Sequence, residues 1–354
     1  MDDIYEIIGA SHIHSTYSDG TWDIKRISQT ADELGLDFLL FSDHHTLKPK
    51  QEGLEGFYGG TLSLIGYETS DTDDLNHYLA FQLDDVVPGV YPREYVSEIA
   101  RRNGLGFIAH PIEKRNILKD YPPYPWTAWD CEGYDGIEIW NQLSEWMEGL
   151  RPSNKFYRFI HPLHSTIAPP PELLTKWDEL AKESRVIGIA GIDAHSFEVK
   201  TLGLFKVKIF HYKVMLKSLR NHLLLREPFP RSDSAKAEEL VFDAIRDARL
   251  FFSNHRRGDA RGFRFRAVNE SNTAIIGENI DAAQAIFIAE SPLQAEITLI
   301  GNGKPLKTIT GKRLEYRTDK PGAYRIEARR KKHAWVFTNH IYSENRLLAI
   351  GCWL

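Results

Sequence analysis

His12 and His14, in "SHIHSTYSDG", stand one residue apart and are followed five residues later by Asp19. In an extended strand, positions i and i+2 share a face, so this spacing aims two imidazoles at one point. Further along, "FSDHHT" offers His44 and His45, "GYETS" Glu68, "NHYLAF" His77, "AHP" His110, "GIEIWN" Glu138 and Asn141, and "GIDAH" Asp193 and His195. Imidazole with carboxylate suits Mn, Fe and Zn, and the absence of cysteine from all these stretches argues against a thiolate zinc cage. The chemistry on offer is that of a metal held by nitrogen and oxygen.

These residues need a scaffold that gathers them. Most sit where a short apolar run ends, as in "LDFLLFSDHH", "LSLIGYETS", "GLGFIAHP", "YDGIEIWN" and "RVIGIAGIDAH"; "HYLAFQL" instead begins with its histidine. Runs so continuously apolar predict strands covered on both faces. In "DIKRISQTADELG", Ile24, Ile27, Ala31 and Leu34 fall at helical spacing, with Asp23 as N-cap and Gly35 as the stop. The pattern predicts an α/β barrel, whose active site would lie at the C-terminal edge of its strands.

A chain of 354 residues predicts two domains. After a helical stretch, "SAKAEELVFDAIRDARLFF", the texture changes to short alternating strands: "GFRFRAVNES", "QAIFIAES", "AEITLIGNGK", "GAYRIEARR" and "AWVFTNHIY". Gly301-Asn302-Gly303 and Lys320-Pro321-Gly322 are turn chemistry. This places a boundary near residue 260, with the barrel at 1–260 and a small β-sandwich at 261–354. The Pro-rich stretches "YPPYPWTAWD" and "IAPPPELL" read as loops able to cover a site.

Composition is that of an ordinary globular protein, with 42% hydrophobic and 26% charged residues. A net charge of -5 gives no electrostatic footprint for stable duplex nucleic acid binding. Cys131 and Cys352 form no disulfide framework, and no basic leader or membrane-length apolar run is present, so the expectation is a cytoplasmic protein without a membrane partner.

Taken in order over residues 12–195, these motifs resemble the series found in the PHP (polymerase and histidinol phosphatase) superfamily of metal-dependent phosphoesterases. The resemblance implies a distorted (β/α)7 TIM-like barrel, and the appended β domain is similar to that of carbaryl-hydrolase-like members. It also implies two to three divalent ions, Mn, Fe or Zn. His12, His14, Glu68 and Asp193 would hold one, Glu68 would bridge to a second completed by His77 and His110, and Asp19, His44 and His195 would hold a third. Three carboxylates against three divalent ions leave such a pocket net positive, which suits a small phosphorylated substrate. The metals would lower the pKa of bound water toward ~7, giving a bridging hydroxide for hydrolysis at phosphorus.

Around that centre, His45 is a candidate to hydrogen-bond a phosphoryl oxygen or to protonate the leaving group, joining Glu68 and Asp193 in catalysis. Lys114 and Arg115, after the "AHP" turn, are candidates for a non-bridging phosphoryl oxygen, and Glu138 and Asn141 for substrate contact, for ligand support or, should His77 point away, for an alternative metal ligand. His211, His222, His255, His333 and His340 read as core or surface histidines, and His161 and His164 as loop residues. Two other functions compete: hydrolysis of a carboxyl-type ester, carbamate or amide by the same centre, and a non-catalytic metal or nucleotide binding module. The second is disfavoured because all nine ligand positions carry competent residues. Only 32 residues separate His77 from His110, whereas members acting on RNA ends and dinucleotides carry a long insertion there, so nucleotide specificity does not carry over. The β-sandwich would pack, shape the pocket or mediate oligomerisation.

Overall fold

A computed structural model describes residues 4–115, 122–196, 198–201, 205–208 and 210–345. Among them, seven strands close into a barrel: β1 (Tyr5–Ile13), β2 (Phe38–His44), β3 (Thr61–Thr69), β4 (Tyr78–Phe81), β5 (Leu105–Ile108), β6 (Gly136–Asn141) and β7 (Ile187–Ala194). β7 pairs back onto β1 in parallel. Every neighbouring pair is parallel except those made by β4, which runs antiparallel to both β3 and β5. That reversal explains why "HYLAFQL" starts with its histidine. The beginning of β4 lies at the same barrel edge as the ends of its neighbours, so His77 arrives beside Glu68.

Alternate strand residues build the barrel interior. Phe38 and Leu40, Leu62 and Leu64, Leu105 and Phe107, and Ile187 and Ile189 form one apolar cluster, joined by Leu240, Phe242 and Ile245 of helix Ser234–Arg246. The same parity carried upward reaches Glu68 on β3, Glu138 on β6 and Asp193 on β7, so the site caps the core. The other strand face, with Leu39, Phe41, Ile65 and Tyr67, packs under α1 (Ile24–Glu33). Asp23 caps that helix by accepting from the Arg26 N–H at 2.8 Å, and Gly35 takes φ +68° just beyond its end, both as the sequence predicts.

β1 departs from expectation in an instructive way. His12 is not extended: its φ is +62°, and the strand register shifts between Ser11 and Ile13. The two imidazoles therefore converge through a bulge, which re-aims a side chain, and not through simple alternation. Asp193 and His110 also have positive φ, +51° and +25°. Conformations so sparsely populated by L-residues store strain and cluster at functional sites.

Beyond the barrel, strands absent from the sequence reading appear, among them β8 (Leu219–Leu225) and β10 (Lys304–Thr318), the latter exposed along most of its length. Between them lies β9 (Leu250–Asn254). The stretch read as one helix stops at Arg246, because Ala248 turns to φ +54° and Leu250, Phe251 and Phe252 enter β9. "QAIFIAES" and "AEITLIGNGK" are halves of one strand, Ala285–Gly301, whose register against β10 breaks between Glu290 and Ala295. Asn302 and Gly303, at φ +51° and +78°, make the tight hairpin between them. β8 pairs with β1 and with β9, and β9 with His333–Thr338, so hydrogen bonding runs continuously from barrel to C-terminal strands. Among the described residues no helix is long and apolar enough to cross a membrane.

Candidate metal centre

The nine predicted ligands come together at one barrel edge. Glu68, 1% exposed, lies at the middle. Its Oε2 is 3.2 Å from His12 Nε2, 3.3 Å from His14 Nε2 and 3.4 Å from His44 Nδ1; its Oε1 is 2.9 Å from His77 Nδ1 and 3.3 Å from His110 Nε2. One carboxylate thus divides five imidazoles into two sets. Asp193 Oδ1 lies 3.6 Å from both His12 and His14 Nε2 and 3.3 Å from His195 Nδ1. Asp19, on the loop after β1, lies 3.2 Å from His195 and 3.7 Å from both His14 and His44.

Three groups of ligand atoms are close enough to hold an ion: His14, Asp19, His44 and His195; His12, His14 and Asp193; and His12, Glu68 and His110. His14 belongs to two of them, which the spacing of "HIH" does not reveal. His77 stands slightly apart, with Nδ1 on Glu68 and Nε2 toward Asp74, 3.2 Å from its carbonyl and 3.5 Å from its carboxylate.

Electrostatics tests whether these residues fit divalent cations. The ring centroids of His14 and His195 are 4.0 Å apart and those of His14 and His44 4.4 Å. Burial and the neighbouring His195 and His44 push the His14 pKa down to about 3, keeping it neutral and able to ligate. Burial alone would raise Glu68, but His12, His77 and His44 outweigh it and hold the carboxyl well below the usual range. Asp193 falls to about 2, against burial, through His12 and His195. Both ring nitrogens of His14 and Nδ1 of His110 are buried without a hydrogen bond, a costly arrangement that cations would relieve. The donor set therefore fits.

Glu138 and Asn141, offered by the sequence as substrate contacts or ligand support, take the supporting position, and Gly191, Asp43 and Glu113 join them without having been singled out there. Glu138, a substrate candidate, is 1% exposed: Oε1 accepts from His12 Nδ1 at 2.9 Å, and Oε2 accepts from the His110 backbone N–H at 2.8 Å and from Asn141 Nδ2 at 2.9 Å. It fixes which His12 nitrogen faces the carboxylates. Asn141 also donates to Asp193 Oδ2 at 3.2 Å, so it too supports ligands. A Cβ on Gly191 would lie 1.5 Å from Glu138 Oε1, which reserves that position for glycine. Asp43 accepts from Ser15 N–H, Ser15 Oγ and Ser18 Oγ, each at 2.7 Å, and so folds the loop that delivers Asp19. Glu113, buried on the "AHPIEKR" turn, accepts from Ser144 Oγ at 2.5 Å and pairs with Arg115 at 2.6 Å. A carboxylate three residues past His110 was the available signal.

Arg115 lines the cavity of about 410 Å3 above the centre, together with His45, Asp74, Tyr124 and all the ligand candidates except His12 and His14. Lys114 does not: its ammonium turns outward to Glu172 at 2.5 Å, where it is largely exposed. Its assignment to the substrate is corrected, because consecutive residues of this turn point to opposite sides. His45, exposed at the mouth with φ +51°, has Thr69 and Ser70 hydroxyls at 3.4 and 3.5 Å. His161 and His164 stack on each other at 4.9 Å, away from the nine ligands.

Glu138→Gln is expected to weaken metal affinity by roughly 10–100-fold while leaving the ligands in place. Competition with a chromogenic chelator measures it; unchanged affinity would show that the His12 hydrogen bond does not matter.

No family model matches the chain, and no curated protein does. Several solved structures are similar to it, two of them as follows. One is a two-domain protein from Bacteroides vulgatus containing a predicted PHP-like metal-dependent phosphoesterase, with 14% identity, 95% of each chain covered and a TM-score of 0.45. The other is a candidate metal-dependent phosphoesterase from Bifidobacterium adolescentis, with 15% identity, 53% of this chain and 87% of that one covered, and a TM-score of 0.32.

Proposed function

We propose that this protein is a PHP-type metal-dependent hydrolase that cleaves small phosphate mono- or diesters at a trinuclear centre. His12, His14, Glu68 and Asp193 would hold one ion, Glu68, His77 and His110 a second, and Asp19, His44 and His195 a third, with His14 in reach of the last as well. The observation that carries the reading is Glu68, buried with three imidazoles on one oxygen and two on the other. Bound Mn, Fe or Zn would supply Lewis acidity and a coordinated water of lowered pKa. The chain's own residues supply the rest. Glu138 and Asn141 hold the ligands in register, Arg115 orients a phosphoryl oxygen from the cavity wall, and His45 hydrogen-bonds a second phosphoryl oxygen at the mouth. Residues 1–260 are assigned to the hydrolase and 261–354 to a β-sandwich that packs against it.

Three bound divalent ions would outweigh the carboxylates lining the cavity and favour the charge that develops at phosphorus, and preorganised electrostatics is usually the largest catalytic contribution. With Mn-loaded enzyme, p-nitrophenyl phosphate is expected to exceed p-nitrophenyl acetate in kcat/KM by at least about tenfold, or ~1.4 kcal/mol. Asp193→Asn sets the background. Acetate hydrolysis that is faster, and lost in that variant, would transfer the assignment to carboxyl-type esters.

A further inference from the structure

A second cavity, of about 380 Å3, opens beside the metal centre. His110 and Ser144 line both spaces, so the two meet at a metal-facing imidazole. Its walls are mainly carbon: Ile112, Ile139, Ile167, Ala168, Pro170 and Leu173 contribute to them. The Pro-rich "IAPPPELL" segment forms one of these walls. It is clamped in place by Glu145 of α2 (Gln142–Glu148), whose Oε1 accepts from the Ile167 and Ala168 N–H groups at 2.6 and 2.9 Å and whose Oε2 accepts from Trp140 Nε1 at 2.7 Å.

The charged groups on this wall are engaged within the protein. Glu145 is saturated as described, and burial pushes its pKa up to about 7. Glu148 Oε1 accepts from the Lys114 and Arg115 backbone N–H groups, both at 2.9 Å, and Arg158 Nη1 donates to the Trp146 carbonyl at 2.8 Å. What the cavity offers a ligand is an apolar surface, at the small end of the roughly 300–1,000 Å3 typical of ligand sites.

Resting on the phosphoesterase reading, we infer that this cavity is the leaving-group subsite and that the substrate is a phosphate ester of a bulky apolar alcohol, its ester oxygen lying near His110 and Ser144. A charged alcohol would lose its hydration there against walls that are mainly carbon, where the buried side-chain atoms left without a partner are, among the described residues, only His110 Nδ1 and the Ser165 hydroxyl. The apolar group, by contrast, gains from leaving water.

The test compares methyl phosphate with 4-tert-butylbenzyl phosphate in the Mn-loaded enzyme, because both leave as primary alcohols. The bulky ester is expected to have at least about 30-fold higher kcat/KM. Ala168→Leu and Ile112→Phe, which fill the cavity from two sides and touch no ligand, should erase that preference while leaving methyl phosphate turnover unchanged. In parallel, titration calorimetry measures binding of free 4-tert-butylbenzyl alcohol to wild type and to both variants. Binding lost in the variants supports the subsite even if neither ester is hydrolysed, and that combination would sink the phosphoesterase reading alone. Equal turnover of the two esters, with no alcohol binding, overturns the subsite and leaves the hydrolase intact.

Discussion

Glu68→Gln is expected to strip the centre: protein never exposed to chelator should carry less than one equivalent of transition metal, against two to three in wild type. Phosphate ester turnover should fall by at least about 100-fold, the upper end of what loss of a mere supporting partner costs. The substitution is isosteric, so packing around this 1% exposed side chain is kept and the charge alone is removed. An amide offers one oxygen where the carboxylate offers two, and its NH2 would direct donors at imidazole nitrogens that must accept a cation. Five histidines face those two oxygens, so the damage spreads over both sets of ligands. Elemental analysis and initial rates on the same preparations decide it. His45→Asn, at the mouth, should keep its metal and lower kcat. A Glu68→Gln enzyme with normal metal content and rate would refute the bridging role.

That the nine candidate ligands would gather was legible in sequence because barrel strands are short, apolar and punctuated. A histidine or carboxylate ending such a run has few places to be except the strand edge, and Glu68 and Asp193 are held there by the parity of Leu62, Leu64, Ile187 and Ile189 below them. What sequence hides is anything decided by local backbone or by a distant partner. The +62° φ of His12 has no signature in "SHIH", yet it, and not the alternation of a flat strand, aims the ring. Glu138 reads the same whether it contacts substrate or orients His12; only the 2.9 Å contact across 126 residues decides. Lys114 and Arg115 are adjacent and chemically alike, but one turns to Glu172 and the other into the cavity wall. The 15-residue strand β10 was missed because, exposed over most of its length, it needs little apolar periodicity.

The other large effect lies outside the metal centre, where the barrel meets the C-terminal strands. Arg325, 2% exposed, donates from Nε and Nη2 to the two oxygens of Asp178, both at 2.7 Å, and His340 Nε2 donates to Asp178 Oδ1 at 3.0 Å. Asp178 lies on helix Pro171–Leu180, Arg325 on strand Gly322–Arg330, and Trp177 packs against both His340 and Arg325. Removing the carboxylate leaves the buried Arg325 with Glu327, 2.9 Å from its Nη1, as its remaining anionic partner, so Asp178→Asn is expected to cost about 3 kcal/mol of unfolding free energy, the low end for a broken buried pair. Replacing both, Asp178→Leu with Arg325→Met, removes the stranded charge and should restore most of that loss. The pH dependence has a definite sign. Burial would raise the Asp178 pKa, but Arg325 and His340 outweigh it and bring it down to about 2 from an ordinary value of 3.8. Its stabilising contribution, about 2 kcal/mol at ~1.4 kcal/mol per unit, is complete above the unfolded value and disappears as pH falls through the folded one. Urea unfolding of wild type and variants at pH 7 and pH 3 measures both effects. A single-mutant loss below about 1 kcal/mol, or a double mutant no better than the single, would mean that the apolar contacts around Trp177, and not this buried charge cluster, join the two parts of the molecule.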